Sequence, residues 1–246
     1  MPVFGKGRVR RPKFYGKPEL EGVKIELYRE SVKAGAASGR RYRRSRGYKY
    51  EITPLSGVER FLHFNVTHWV LKRYKKVKRP VNVLDWGCGQ GTAITELVKR
   101  LPSKVNAYGY SKDFYPSWTE NPHVKFIQET HDQVPRFFKK IPLDLILSLA
   151  GLHHLQASMS RGVSLAVIEN RRRWLKEYKK YILRLAERLA PGGVLVTSFI
   201  GLPSHVDEFA SSFNPKKDRV RARVLHCSYY PGAPAGVDNI FMLEKI

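Results

Sequence analysis

Cysteine is nearly missing from this sequence, with only Cys88 and Cys227 among 246 residues. Two thiols so far apart make neither a disulfide framework nor a cysteine-based zinc site, and they fit a reducing compartment. Long apolar runs are missing too. The most apolar late segment, LDLILSLAGL, has Asp144 inside it and falls well short of the roughly 20 residues that a spanning helix needs. The cationic start, MPVFGKGRVRRPKFYG, has no apolar stretch behind it, so no secretory leader is read there. The expectation is a soluble, cytoplasmic protein with no membrane partner and no metal site.

Acid is the third shortage. There are 45 Lys and Arg against 21 Asp and Glu, a net charge of +24. The excess is uneven: residues 1–80 carry 22 cations and 6 acids, leaving only +8 for the rest of the chain. A concentrated positive field attracts polyanions, nucleic acid above all. Within RRYRRSRGYKY, Arg40, Arg41, Arg43, Arg44 and Arg46 alternate with tyrosines, and cations beside flat rings suit phosphate contact with base stacking. A solvated, solubilising arm has the same composition.

Three regions are read along the chain. Residues 1–50 lack sustained periodicity and form a basic, largely irregular arm, with a short helix around Leu20–Val32. Residues 51–80 form a capping helix region. There Ser56 and Glu59 have capping-box spacing, and Leu62, Val66, Trp69, Val70 and Tyr74 recur at helical intervals. Residues 81–246 alternate strand and helix. VNVLDW, VNAYGY, HVKFIQ, LDLILSLA and VLVTSFI read as strands, the fourth apolar enough to be covered on both faces. A long helix carries Leu175, Tyr178, Ile182, Leu185 and Leu189 on one side, and APGG is read as its stop. Two final strand-like runs without a helix between them read as an antiparallel hairpin on the sheet edge. The fold class is α/β, a doubly wound, mostly parallel sheet.

Between the first strand of that region and its helix lies DWGCGQG, with Gly87, Gly89 and Gly91 at alternate positions. Ligands of open α/β sheets collect at the carboxyl ends of strands near the topological switch. Glycines there let a flat ligand approach the backbone, and the N–H groups of the following helix face it. The loop is therefore expected to present bare main chain to a cofactor. The spacing is not the dinucleotide fingerprint G-x-G-x-x-G.

DWGCGQG, LDLILS followed by LHHL, LAPGGVLVTSF and the closing hairpin occur in the order found in class I S-adenosylmethionine-dependent methyltransferases, and the chain from about Pro80 to Ile246 resembles that family. The resemblance implies a seven-stranded sheet with its last strand reversed, S-adenosyl-L-methionine as cofactor, and transferase activity on one-carbon groups. It places Gly87, Gly89 and Gly91 under the methionine part and Asp85 near its amino group, with Cys88 contributing backbone. Ser111 stands where the family has the acid that grips the ribose; either Ser111 makes a single weaker contact or Asp113 swings in. Glu129 and Thr130, with Asp132 as the alternative, are the adenine contacts. Leu149 passes beneath the cofactor, and His153 or His154 is the candidate general base.

The base-holding tetrads DPPY and NPPF of the family's amino-directed nucleic-acid enzymes are absent, and so is a Pro-Cys nucleophile. Three readings stay open: an RNA methyltransferase using the basic arm, to which the charge leans; a small-molecule methyltransferase with the arm as a lid; and a non-catalytic RNA-binding relative. A nucleotide-binding fold without methyl chemistry is the remaining alternative.

Overall fold

The computed structural model describes residues 13–15, 54–128, 134–149, 151–152, 168–199, 203–226 and 239–246. The helix expected around Leu20–Val32 and the arginine cluster at Arg40–Arg46 lie outside them.

The core is one eight-stranded sheet in the order β1-β4-β3-β2-β5-β6-β8-β7. Strands β2 (Val81–Trp86), β3 (Val105–Ser111), β4 (Val124–Gln128), β5 (Leu143–Ser148) and β6 (Leu189–Phe199) run parallel. Strand β8 (Asn239–Lys245) is antiparallel both to β6 and to the edge strand β7 (Val220–His226). These seven form the sheet that the family resemblance implies, with the last strand, β8, reversed as expected and paired with β7 in the closing hairpin. An eighth, β1 (Lys13–Tyr15), adds antiparallel to β4, with Lys13 opposite Gln128. The chain steps from β2 through β3 to β4 in one direction, then resumes at β5 on the other side of β2. That reversal is the topological switch.

Each face of the sheet buries its own core. Val81 and Val83 face one cluster, shared with helices α1 (Leu55–Phe61), α2 (Val66–Val77) and α3 (Thr92–Arg100). Leu84 and Trp86, pointing the opposite way, join the other, shared with α5 (Ile168–Ala186) and α6 (Pro203–Ser211). This is period-two alternation between two covered faces. Every residue of β5 is buried, as its continuous apolarity predicts. The remaining short helices are α4 (Val134–Phe137) and α7 (Pro215–Asp218). No described helix is long and apolar enough to cross a membrane.

Two local expectations are corrected. The single helix across residues 56–76 is two helices, because His63 takes a positive φ of 47° and Asn65 starts a new helix by accepting the His68 N–H at 2.8 Å. Ser56 lies inside α1, whose N-cap, Pro54, supplies no side-chain cap bond. Glu59 instead reaches across the break, accepting from both the N–H and the hydroxyl of Thr67, each at 2.8 Å. The second correction is at APGG, which lies within β6: Leu143 pairs with Leu189 and Leu145 with Val194, so a wide bulge with Gly192 at φ +69° absorbs the extra residues.

The capping region is tied to the sheet. Asp144, fully buried, accepts from Arg73 Nε at 3.0 Å, from Arg79 Nη1 at 2.7 Å and from the Asn82 N–H at 3.0 Å. Asp144, the second residue of β5, is thus a structural residue.

Candidate functional site

The glycine loop leaves β2 at the switch point, as the motif requires. Tyr110 O, near the end of β3, accepts the N–H of both Gly87 and Cys88, at 2.8 and 2.9 Å. The loop then turns on itself, with the Gly91 N–H donating to Cys88 O at 2.8 Å. All three glycines have positive φ: 81° at Gly87, 53° at Gly89 and 78° at Gly91. Side chains disfavour that region, so the backbone alone demands glycine.

The space that the missing side chains leave is not all given to a ligand, which corrects the expectation of bare main chain along the whole loop. A Cβ on Gly87 would meet Gly151 Cα at 2.6 Å, and one on Gly91 would meet the Phe126 ring at 2.5 Å. Gly109 on β3 faces the same ring, at 2.6 Å. The protein itself fills these positions; Gly87 is exposed, while Gly89 and Gly91 are buried. The glycines therefore shape the loop, and the argument for a ligand passes to its polar groups.

Those groups are of two kinds. Helix α3 opens at Gly91 with no side-chain cap. Among the described residues, no protein acceptor takes the N–H of Gly89, Gln90, Thr92 or Ala93. Free N–H groups at a helix start attract an anion. The second kind is Asp85, one residue before the end of β2. Its register puts it opposite Gly109 on β3 and near Leu147 on β5. The residue as a whole is half-buried, and no described side chain or N–H pairs with its carboxylate. Burial pushes its pKa from 3.8 to about 7. A carboxyl group in this state is matched by a cation. Donors for an anion and an acceptor for a cation, within one loop, fit the zwitterionic end of an amino acid.

The other expected residues divide. Ser111 ends β3, buried, and its Oγ accepts the Asp113 N–H at 3.3 Å; the hydroxyl thus orients the residue expected to substitute for it. Cys88 turns its thiol inward toward Gly109, and burial first, then the Asp85 charge, raises its pKa well above the ordinary value. A protonated, enclosed thiol is unreactive, and the Cys88 N–H and carbonyl are both engaged within the fold, by Tyr110 O and the Gly91 N–H. Leu149 follows β5 at the carboxyl end, and its carbonyl accepts a hydrogen bond from the Ser198 hydroxyl. Glu129, Thr130, His153 and His154 lie outside the described residues, and so does Asp132. No group of His, Cys, Asp or Glu among the described residues is arranged to hold a metal ion.

Two residues absent from the sequence reading touch the loop. The Trp118 indole N–H donates to Gly89 O, and the Ser117 hydroxyl to Gln90 O, each at 2.9 Å. Both belong to a 3-10 turn, Pro116–Glu120, between β3 and β4. The Trp118 ring stacks on Phe126, with centroids 4.8 Å apart and planes 4° apart.

No family model and no curated protein sequence matches the chain. Solved structures do. The 1,6-didemethyltoxoflavin N1-methyltransferase of Burkholderia thailandensis, with 1,6-didemethyltoxoflavin and S-adenosylhomocysteine bound, is 14% identical over 98% of this chain and 97% of its own, at a TM-score of 0.47. CalS10, an amino pentose methyltransferase from Micromonospora echinaspora solved with S-adenosylmethionine, is 12% identical over 78% of this chain and 96% of its own, at 0.43. TrmN from Thermus thermophilus is 19% identical over 74% of this chain at 0.42, and the match spans 48% of that protein. Likeness at this level is likeness of fold.

Proposed function

We propose that this protein is an S-adenosylmethionine-dependent methyltransferase. The observation that carries the reading is the Asp85 carboxylate, without a partner among the described residues, beside glycine-loop N–H groups that have no acceptor among them either. The cofactor's amino group would pair with Asp85 and its carboxylate with the N–H groups at Gly89, Gln90 and the start of α3. S-adenosylmethionine, when bound, supplies a methyl group already activated on a sulfonium. The chain's remaining work is to align an acceptor in line with that methyl and to exclude water, so proximity provides most of the acceleration. His153 and His154 follow β5 closely in sequence, and either suits removal of a proton from the acceptor near neutral pH.

For the acceptor we propose RNA. Residues 1–80 hold two-thirds of the net charge, including the arginine and tyrosine cluster at Arg40, Arg41, Arg43, Arg44 and Arg46. Counterion release then makes binding steeply salt-dependent. A second reading, a lid over a small-molecule site, draws on the register of β1, which puts Lys13 opposite Gln128 at the carboxyl end of β4. Incubation with cofactor labelled in its methyl group and with separated RNA and small-molecule fractions of a cell extract tests both. Label in RNA, lost when residues 1–50 are deleted, supports the first reading. Label only in small molecules supports the second, and label in neither fraction removes the methyltransferase reading.

A further inference from the structure

Helices normally fill the crossovers of a doubly wound sheet. Between β3 and β4 this chain has only the 3-10 turn Pro116–Glu120, and two of its side chains hold consecutive carbonyls of the glycine loop. We infer that Trp118 and Ser117 are positioning residues that aim the Gln90 N–H into the cofactor cleft, a claim that rests on the reading of the loop as the seat of the cofactor's amino-acid end.

In a trans peptide the C=O and the following N–H point in opposite directions. The Gly89 carbonyl is turned down onto the Trp118 indole at 2.9 Å, so the Gln90 N–H is turned away from the indole. The Gln90 carbonyl is likewise held by the Ser117 hydroxyl at 2.9 Å, so the Gly91 N–H points away from the turn, and it is the one that closes on Cys88 O at 2.8 Å. Of these two N–H groups, one closes the loop and the other has no acceptor among the described residues.

The clamp has a rigid base. Trp118 is fully buried and stacks flat on Phe126. The Phe126 ring occupies the room left by Gly91 and Gly109 together, which ties the loop, β3 and β4 to one aromatic stack. Asn121 adds a further bond within the turn, from its amide to Ser117 O at 2.8 Å. Such a base fixes a polar group more tightly than a mobile loop does, and that pre-organisation favours binding.

The test compares two ligands. S-adenosylhomocysteine carries the amino-acid end; 5′-deoxy-5′-methylthioadenosine shares the nucleoside and thioether but lacks it. Trp118→Phe keeps a ring on Phe126 and removes the donor together with part of the indole's volume. Affinity for S-adenosylhomocysteine is expected to fall about tenfold, with the shorter ligand unchanged. Ser117→Ala should act the same way by about threefold. Equal losses for both ligands, or no loss for S-adenosylhomocysteine, overturn the inference. Hydrogen exchange decides the clamp without any ligand: amides from Cys88 to Gly91 should exchange faster in Trp118→Phe than in the wild type, and unchanged rates overturn it. If the wild type binds neither ligand, the methyltransferase reading and the aiming of Gln90 at its cofactor both fail, while the exchange rates still decide the clamp.

Discussion

At the amino end of the sheet, Asp144 on β5 is fully enclosed and surrounded by donors: Arg73, Arg79 and the Asn82 N–H. At the carboxyl end, Asp85 on the adjacent strand β2 has no described partner, and burial lifts its pKa to about 7. The two side chains are the same, and so is the sheet around them. What differs is whether the described residues supply the counter-charge. Removing a charge from water is costly unless it is paired, so Asp144 completes the fold, while Asp85 has no counter-charge among the described residues.

The sharpest way to break that comparison is Asp144→Ala, which leaves Arg73, itself 8% exposed, without its carboxylate. We expect about 3–5 kcal/mol of lost stability, read from urea unfolding; an unchanged midpoint would remove the distinction between the two ends. Asp85→Asn should do the opposite. Its affinity for S-adenosylmethionine should drop about 100-fold, while its thermal stability at pH 8 equals or exceeds that of the wild type. A variant that melts lower and binds normally would make Asp85 another structural acid.

The third expectation follows from proton linkage. The folded pKa of Asp85, about 7, stands above the unfolded value of 3.8. Its contribution to the stability of the ligand-free protein is therefore full below about pH 4 and is lost as pH rises through 7. A cationic ligand prefers the carboxylate, so cofactor affinity should climb up to tenfold per pH unit from pH 5 to about 7 and then level. Calorimetry across that range checks it, and a flat profile in the wild type would sink it. The smallest effect is expected at Arg79, whose side chain is 39% exposed. Arg79→Met should cost about 1 kcal/mol or less, a fraction of the Asp144 loss in the same urea assay.

The sheet and the place of the glycine loop were legible because alternation of strand and helix is written in the apolar pattern, and because Gly87, Gly89 and Gly91 fall between the first strand of that region and its helix. The purpose of those glycines was only half legible. Gly91 and Gly109 are 18 residues apart, and nothing local says that both yield to one ring at Phe126. Trp118 and Ser117 were missed for a related reason: an aperiodic stretch of loop gives no signal of what its side chains will touch. A bulky aromatic in a short crossover, where a helix is expected, is the hint that was available. Ser56 and Glu59 misled because capping-box spacing also occurs inside a helix, where Glu59 serves a hydroxyl on the next one. The wide bulge in β6 was hidden because a proline-glycine pair signals a turn without saying whether strand pairing resumes on both sides of it.

The outer edge of the sheet has a consequence of its own. Among the described residues β7 pairs with β8 on one side only, and Arg221 and Arg223 on it, with Arg219 just before it, are exposed. An unpaired strand is a template on which another polypeptide can grow, and a row of like charges resists that growth. Two copies meeting there would bring six guanidinium groups together. The margin is thus guarded against self-templated stacking, and neutralising those arginines should be felt first as clumping at high concentration.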